Sequence, residues 1–365
     1  MEEWKEYKLG EISTMKYGKL PPKSAGGRFP VWSGYRYVGT SDVMNCPKGT
    51  MVVVARGVGG TGDVKIAKED CYLTNLSIAV NIDTTICNPY YLYYKYLLKN
   101  LKYLDSGSAQ SQITIDDLKR LQIELPSLDY QNRIVAVLKT LDDKIEVNRR
   151  INDILEQEAQ ALFKSWFVDF EPFKNGEFVE SELGRIPKGW RVGTFGEIMT
   201  IASGKRPPKK ESSFSHECNI PLVGASDIMG YTNSVLFNED ILVTGRVGTH
   251  GIVQRFNYPC WPSDNTLVLK SDYYEFCYQI LCTIDYASLN RGSTQPLITQ
   301  TDIKNQIILI PPNSVLSDFE KYASTLMKVK ENNQRSSRRL AELRDTLLPK
   351  LMSGELIVNE IDDIL

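Results

Sequence analysis

Two stretches of this chain repeat each other at a distance of 186 residues. Leu9-Gly10-Glu11-Ile12 and Gly18-Lys19-Leu20-Pro21-Pro22-Lys23 return as Phe195-Gly196-Glu197-Ile198 and Gly204-Lys205-Arg206-Pro207-Pro208-Lys209. The register then drifts by only a few residues. Val38-Gly39-Thr40-Ser41-Asp42 answers Val223-Gly224-Ala225-Ser226-Asp227, and Gly107-Ser108-Ala109-Gln110 answers Gly292-Ser293-Thr294-Gln295. Cys71-Tyr72 faces Cys260-Trp261, and Ile123-Glu124-Leu125-Pro126 faces Ile308-Leu309-Ile310-Pro311 before each copy runs into a helical pattern. So long a period exceeds any solenoid repeat, so each copy has to be a domain with its own core. The order is globule, helix, globule, helix, and two such domains suit a target with two similar halves.

The 365 residues suffice for two domains, and 42% apolar with 24% charged content is that of a soluble globular protein. No stretch approaches the roughly 20 apolar residues of a membrane helix, and Met1-Glu2-Glu3-Trp4-Lys5 lacks a signal-peptide layout, so a cytoplasmic location is expected. Seven scattered cysteines and two histidines supply no C-x-x-C pair, no disulfide framework and no zinc site; they read as reduced core residues. The net charge of −2 argues against a nucleic-acid binder, but its distribution argues the other way. Lys16, Lys19, Lys23 and Arg28 stand together without an acid, as do Lys205, Arg206, Lys209 and Lys210, whereas Asp129 to Glu171 holds nine acids against six bases.

After Pro126, apolar residues at Ile134, Leu138, Leu141, Ile145, Leu155, Ala159, Leu162 and Trp166 follow a heptad seam whose missing beats are Asn148 and Asn152. A shift of 185 gives Phe319, Ala323, Leu326, Lys330, Asn333, Ser337, Leu340, Arg344, Leu347 and Leu351, with the polar interruption at the same height. The two helices are expected to pair as an antiparallel coiled coil with Asn148 and Asn333 fixing its register near the middle. From Ile134 to Trp166 is 33 residues, roughly 50 Å of helix, against about 34 to 36 Å for a turn of duplex DNA. A stop is expected at Pro349 in the second helix.

The ends of these helices carry a resemblance. Leu162-Phe163-Lys164-Ser165-Trp166-Phe167-Val168-Asp169-Phe170-Glu171-Pro172, then Ser181-Glu182-Leu183-Gly184 with Ile186-Pro187-Lys188-Gly189-Trp190, and Leu343-Arg344-Asp345-Thr346-Leu347-Leu348-Pro349-Lys350-Leu351-Met352-Ser353-Gly354-Glu355-Leu356 resemble the specificity subunit of type I restriction-modification systems. Leu125-Pro126 with Gln131 and Ile134 extends the likeness over nearly the whole chain; Asp129-Tyr130 departs from a glutamate common there. The resemblance implies an α+β fold of two similar α/β target recognition domains separated by two long antiparallel helices with pseudo-twofold symmetry. Residues 1–128 then form recognition domain 1, 129–170 spacer helix 1, 171–314 a linker and recognition domain 2, 315–352 spacer helix 2 and 353–365 a tail. It further implies a non-catalytic reader of bipartite double-stranded DNA. Two methyltransferase subunits and motor-nuclease subunits would be its partners, and these would bind S-adenosylmethionine and ATP, leaving this chain with no cofactor.

Other motifs read differently. Gly57-Val58-Gly59-Gly60-Thr61-Gly62 fits G-x-G-x-x-G, but Asp63-Val64-Lys65-Ile66-Ala67 alternates like a strand where a dinucleotide site needs a helix, so a hairpin turn is expected. Gly245-Arg246-Val247-Gly248-Thr249-His250-Gly251 keeps the turn without the spacing. Asn88-Pro89-Tyr90-Tyr91 and its counterpart Ser271-Asp272-Tyr273-Tyr274 share only a helix start bearing tyrosines. His216 and His250 lie outside any cluster. The alternatives are a DNA-independent coiled-coil scaffold and a DNA-mimic inhibitor; a mimic calls for acidic globules, not the basic segments found.

Base edges are read by Arg, Lys, Asn, Gln, Ser and Thr, with aromatic rings adding contacts. In the first copy Tyr17, Lys19, Lys23, Trp32, Tyr35, Arg36, Tyr37, Arg56, Thr74, Asn75, Ser108, Gln110, Ser111 and Gln112 sit at turns between apolar runs. In the second, Lys205, Arg206, Lys209, Lys210, Arg246, Trp261, Asp264, Asn265, Arg291, Ser293, Thr294 and Gln295 do so. Arg56 and Arg246 are the preferred base readers, and the lysines after Gly18 and Gly204 the preferred phosphate contacts. Because the two sets differ, the target is expected to be non-palindromic.

Overall fold

The computed structural model describes residues 4–20, 26–57, 60–97, 99–105, 111–289 and 297–356. The chain divides into two compact units, 1–148 with 335–365, and 149–334. Each unit joins one globule to one half of each long helix.

The first globule runs β1 (Lys5–Lys8), β2 (Ser13–Tyr17), β3 (Phe29–Ser33), β4 (Arg36–Ser41), β5 (Met51–Val54), β6 (Val64–Ile66), β7 (Tyr72–Leu73), β8 (Ser77–Ile82), α1 (Pro89–Leu97), α2 (Ile115–Lys119) and β9 (Gln122–Leu125), and then enters α3 (Leu128–Phe167). An antiparallel sheet of order β2-β8-β5-β6 is sandwiched between the helices and a small sheet, β4-β3-β7, in which β3 and β7 run parallel; β1 pairs β9. The alternation of β5 builds the layers. Met51, Val53 and Ala55 face the helical core with Tyr91, Leu92, Leu138 and Leu351, while Val52 faces Cys46, Cys71 and Leu73 on the other side.

The second unit carries a hairpin of β10 (Phe178–Ser181) and β11 (Gly184–Pro187), which among the described residues has no counterpart in the first and occupies what reads in the sequence as linker. Then the order returns: β12 (Arg191–Thr194), β13 (Thr200–Ser203), β14 (Ile220–Val223), β15 (Ile228–Thr232), β16 (Ile241–Gly245), β17 (Val253–Phe256), β18 (Trp261–Pro262), β19 (Thr266–Lys270), α4 (Tyr274–Thr283), α5 (Gln300–Lys304), β20 (Ile307–Ile310) and α6 (Asn313–Ser353). Sheets β13-β19-β16-β17, β15-β14-β18 and β12-β20 reproduce the first topology strand for strand. The short helices α2 and α5 start from identical capping boxes, Thr114 with Asp117 and Thr299 with Asp302.

Hydrogen-bond register corrects one repeat match. Val38 to Asp42 lie in and just after β4, whereas Val223 ends β14 and Gly224 to Asp227 form its turn. The true equivalents are Val31-Trp32 and Leu222-Val223, which carry the same β-bulge and the same parallel partners in β7 and β18. Similar side chains in different strands had simulated a repeat.

The long helices run antiparallel within each unit. In the first, Asn148 is 1% exposed and its amide donates to the Ser337 hydroxyl at 3.2 Å, and Arg344 Nη1 meets Asp142 at 2.7 Å. In the second, the Asn333 amide donates to Asn152 at 3.1 Å, and Lys330 pairs with Glu156. The charged residues that interrupted the heptad are thus matched by acids across the seam. Helix α6 does not stop at Pro349 but continues to Ser353, because Leu347, Leu348 and Leu351 are buried in the first core and hold the last turn despite the missing N–H. Of the seven free cysteines six are buried; Cys282 is exposed, against the expectation of a core position. Among the described residues no helix is long and apolar enough to cross a membrane.

A tyrosine clamps each globule to the helices: Tyr94 donates to Asp142 at 2.7 Å and Tyr278 to Glu156 at 2.9 Å. The second unit adds a buried ion pair, with Arg255 bidentate to Glu275 at 2.6 Å twice and its guanidinium 4.8 Å from the rings of Tyr274 and Tyr278. Beside it Glu320 of α6 accepts from the backbone N–H groups of Glu275 at 3.0 Å and Phe276 at 2.8 Å, at the start of α4. Burial raises the Glu320 carboxyl from 4.5 to about 7, with Glu275 reinforcing the shift and the two N–H groups and Arg255 opposing it.

Between those values the folded protein holds a proton that the unfolded chain has lost, so stability falls as pH rises through the window and is level above it, by about 3 kcal/mol at most. Glu320→Gln has no such proton. The melting temperature of this variant relative to the parent is expected to rise between about pH 5 and about pH 8; a difference that stays constant over that interval refutes the assignment.

Candidate nucleic-acid interface

In each globule the loops converge on one end of the four-stranded sheet. In the first, the Lys19 N–H donates to Leu73 at 3.1 Å, Ala55 to Leu76 at 2.8 Å, Ile113 to Ala55 at 3.0 Å and Thr74 to Trp32 at 3.0 Å, while Arg56 bridges Gln112. These bonds gather the end of β2, the β5–β6 turn, the β7–β8 loop and the segment before α2. The second copy repeats them: Lys205 to Pro262 at 3.0 Å, Arg246 to Asn265 at 2.9 Å, Ile298 to Arg246 at 3.0 Å, Ser263 to Val223 at 2.9 Å, and a Val247–Leu297 bridge.

Two glycines make the convergence possible. A Cβ on Gly18 would stand 2.2 Å from the Thr74 carbonyl oxygen, and one on Gly204 2.1 Å from that of Ser263. The residue after each is a lysine with an exposed side chain, Lys19 or Lys205. A matching aromatic residue ties the strand exit down, with the Tyr72 hydroxyl donating to the Leu20 carbonyl at 3.1 Å and the Trp261 indole N–H to the Lys205 carbonyl at 2.7 Å. Trp261, singled out as a reader, thus spends its donor on the backbone.

The other sequence candidates fall into three groups. Exposed at this end are Tyr17, whose hydroxyl accepts the Ile115 N–H at 3.2 Å, together with Tyr35, Arg36, Tyr37 and Asn75 in the first copy and Arg206, Lys210, Asp264 and Asn265 in the second. Trp32 is half-buried and meets the Tyr37 ring edge to face at 5.9 Å. A second group is committed to internal bonds. Thr74 is 5% exposed and its hydroxyl contacts Ser33, so it has no access to a base edge. Lys209 is paired with Glu211 at 3.1 Å and Glu217 at 2.7 Å, which raises its pKa. Ser111 donates to Asp105 at 2.5 Å, and the half-buried Gln112 donates its N–H to the same carboxylate at 2.8 Å. Lys23, Ser108, Gln110, Arg291, Ser293, Thr294 and Gln295 lie outside the described residues.

Arg56 and Arg246 are not equivalent. The shared partners of Ile113 and Ile298, and of Leu76 and Asn265, place Arg246 where the first copy has Ala55, and Val247 where it has Arg56. Neighbouring residues of an extended chain point to opposite faces, so the two arginines leave the sheet end on different sides. Arg56 is half-buried, and among the described residues its Nε, shielded from solvent, has no hydrogen-bond partner.

Sequence reasoning missed Lys65, whose ammonium stands 3.5 Å from the centre of the Tyr35 ring and whose pKa is lowered by burial, with Asp63 opposing. Its structural counterpart, Gln254, instead donates to the Gly224 carbonyl at 2.8 Å and closes the β14–β15 turn onto β17. No local signal marks Lys65, because its position inside the short strand Val64–Ile66 reads as an ordinary outward residue. Among the described residues no group of three or more potential ligands forms a metal site.

Comparison with known proteins finds one family that matches both copies. The family described as "Type I restriction modification DNA specificity domain" matches residues 1–157 and again 187–343. The MjaIX specificity subunit of Methanocaldococcus jannaschii is 30% identical, over 99% of this chain and 95% of its own. The HindI specificity subunit of Haemophilus influenzae is 22% identical, over 98% of this chain and 100% of its own. Among solved structures, the type I restriction-modification S subunit from M. genitalium superposes with a TM-score of 0.67 at 19% identity, covering 96% of each chain.

Gly18→Ala and Gly204→Ala should each destabilise the protein by about 2 kcal/mol or more, because the methyl group meets a backbone carbonyl that cannot step aside. Thermal unfolding measures this; Gly26→Ala, where a Cβ meets nothing within 4 Å but φ is positive, should cost less. Equal losses at all three positions would show that close approach is not what selects glycine at Gly18 and Gly204.

Proposed function

The chain belongs to the type I restriction-modification DNA specificity family, whose specificity subunits are non-catalytic, and from that membership we propose that it reads a bipartite, asymmetric DNA target. Each globule takes one half-site at the sheet end where its loops converge. The observation that carries this reading is one backbone framework with different side chains at matched positions: Ala55 against Arg246, Arg56 against Val247, Trp32 against Val223. Equal geometry with unequal donors suits two unlike sequences.

Within this proposal Arg56 and Arg246 contact base edges, and Lys19 and Lys205 contact phosphates. The near-neutral chain of net charge −2 leaves part of the phosphate contact to other subunits. The paired helices set the gap between half-sites and dock two methyltransferase subunits, which bind S-adenosylmethionine and modify a flipped adenine in each half-site. Motor-nuclease subunits with ATP complete a restriction complex. This chain holds no cofactor in the scheme.

Adenine-methylation mapping in cells that express the chain with its methyltransferase tests the division of labour. Exchanging one globule should change one half-site and leave the other intact. Arg56→Ala should relax a single base position, at a cost of about 1–3 kcal/mol, whereas Lys19→Ala should weaken binding to all sequences alike and lower the salt slope by about 1. Removing seven residues from α3 and the matching seven from α6 should shorten the gap by about three base pairs with both half-sites unchanged. Identical half-sites, or a half-site altered by the helix deletion, would overturn the reading, and a chain that docks its methyltransferase without binding DNA would establish the scaffold instead.

A further inference from the structure

The first unit sets two cysteines face to face. Cys46 and Cys71 form an antiparallel bridge in which the N–H of each donates to the carbonyl of the other, at 3.1 and 2.9 Å. Residues paired in this way have Cα atoms about 5.5 Å apart, inside the span a disulfide requires. Both thiols are free and buried, at 0% and 3% exposure, and the Cys46 thiol donates to the Pro47 carbonyl at 3.9 Å. The neighbouring Cys71 thiol draws the Cys46 thiol below its usual range while burial opposes, and Cys46 together with burial drives Cys71 upward. Such a pair places a resolving thiol beside whichever sulfur is oxidised first.

Access and comparison point the same way. Cys71 lines a cavity of about 490 Å³ walled by Trp32, Tyr35, Lys65, Tyr93 and Tyr96, wide enough to admit a molecule as small as a peroxide. The second globule builds the same bridge with Phe237 opposite Cys260, at 3.1 and 2.9 Å. The backbone arrangement therefore does not require two thiols, and only the first copy has them.

We propose that Cys46 and Cys71 are an oxidation site, which hydrogen peroxide closes to a disulfide within the first globule and a thiol reductant reopens. One of the two sulfurs attacks an oxygen of hydrogen peroxide, the O–O bond breaks, and the departing hydroxide leaves as water with that thiol's proton, giving a sulfenic acid. The other sulfur then attacks the oxidised sulfur, the S–O bond breaks, and the hydroxyl leaves as water with the second thiol's proton. Two thiols are oxidised and one peroxide is reduced to two waters. The bridge adjoins the recognition end: the Asn45 amide donates to the Leu73 carbonyl at 2.9 Å and its oxygen accepts the Leu73 N–H at 2.7 Å, and that carbonyl also holds Lys19. Closure pins this junction, and the chemistry stands whether or not the globule reads DNA.

The test treats the folded protein with hydrogen peroxide, removes the peroxide, unfolds the chain in guanidinium chloride with N-ethylmaleimide present and maps its peptides by mass spectrometry. A cross-linked pair joining Cys46 to Cys71 is expected, with five alkylated cysteines where the reduced protein has seven, restored by dithiothreitol. In Cys46→Ser or Cys71→Ser a sulfenic-acid trap such as dimedone should label the remaining cysteine of the pair in at least one of the two variants. Recovery of alkylated Cys46 and Cys71 at a peroxide dose that oxidises the exposed Cys282 overturns the proposal, as does a disulfide joining any other pair. The mapping on unaltered protein decides the matter even if a variant fails to fold.

Discussion

Neither globule closes its core without both long helices. In the first unit Ile134, Leu138 and Leu141 of α3 and Leu347, Leu348 and Leu351 of α6 complete an interior that otherwise consists of one sheet face, α1, Leu118 of α2, Ile123 and Leu125 of β9 and the loop residues Leu9, Ile12, Leu101 and Ile113. In the second, Ala159, Phe163 and Phe167 of α3 join Phe319, Ala323 and Met327 of α6. Apolar burial at roughly 25 cal/mol per Å² is the dominant favourable term in folding, and here it is released only when segments some two hundred residues apart meet. The helices are therefore part of each domain as well as a connection between domains, which is why the compact units cut across both of them.

Polar groups at the seam make that meeting specific. Seams of leucine alone tolerate slippage, whereas Asn148 with Ser337 and Asn152 with Asn333 satisfy their amides in one register only. Asp142 with Arg344 and Glu156 with Lys330 act alike, and each acid also accepts a tyrosine hydroxyl from the neighbouring globule. One carboxylate thus fixes three elements, and removing it would strand a cation and a phenol together. The bidentate Arg255–Glu275 pair, enclosed by Tyr274 and Tyr278, anchors α4 in the same way; losing one partner of such a buried pair typically costs about 3–5 kcal/mol.

Much of the recognition end is legible one residue at a time, yet equivalence between the copies is not. Gly18 and Gly204 declare themselves because nothing larger fits beneath a passing carbonyl. Arg56 and Arg246 look interchangeable in sequence, since each precedes a glycine-rich turn, but a single-residue offset in hydrogen bonding turns them to opposite faces. Thr74 and Lys209 look available and are consumed by Ser33 and by two glutamates. Lys65 looks ordinary and stacks on Tyr35.

The sequence by itself determined the duplication, the α+β order of each copy and the heptad seam with its polar interruption. It also determined the hairpin character of the glycine turns, because periodicity and turn chemistry are local properties that act over a few residues. Only the tertiary structure decided that Val31-Trp32 rather than Val38-Gly39 matches the end of β14, that α6 carries Pro349 within it, and that Cys46 lies opposite Cys71. Those outcomes turn on register and on contacts between distant segments, where one residue of offset reverses a side chain's face and burial elsewhere outweighs a local preference.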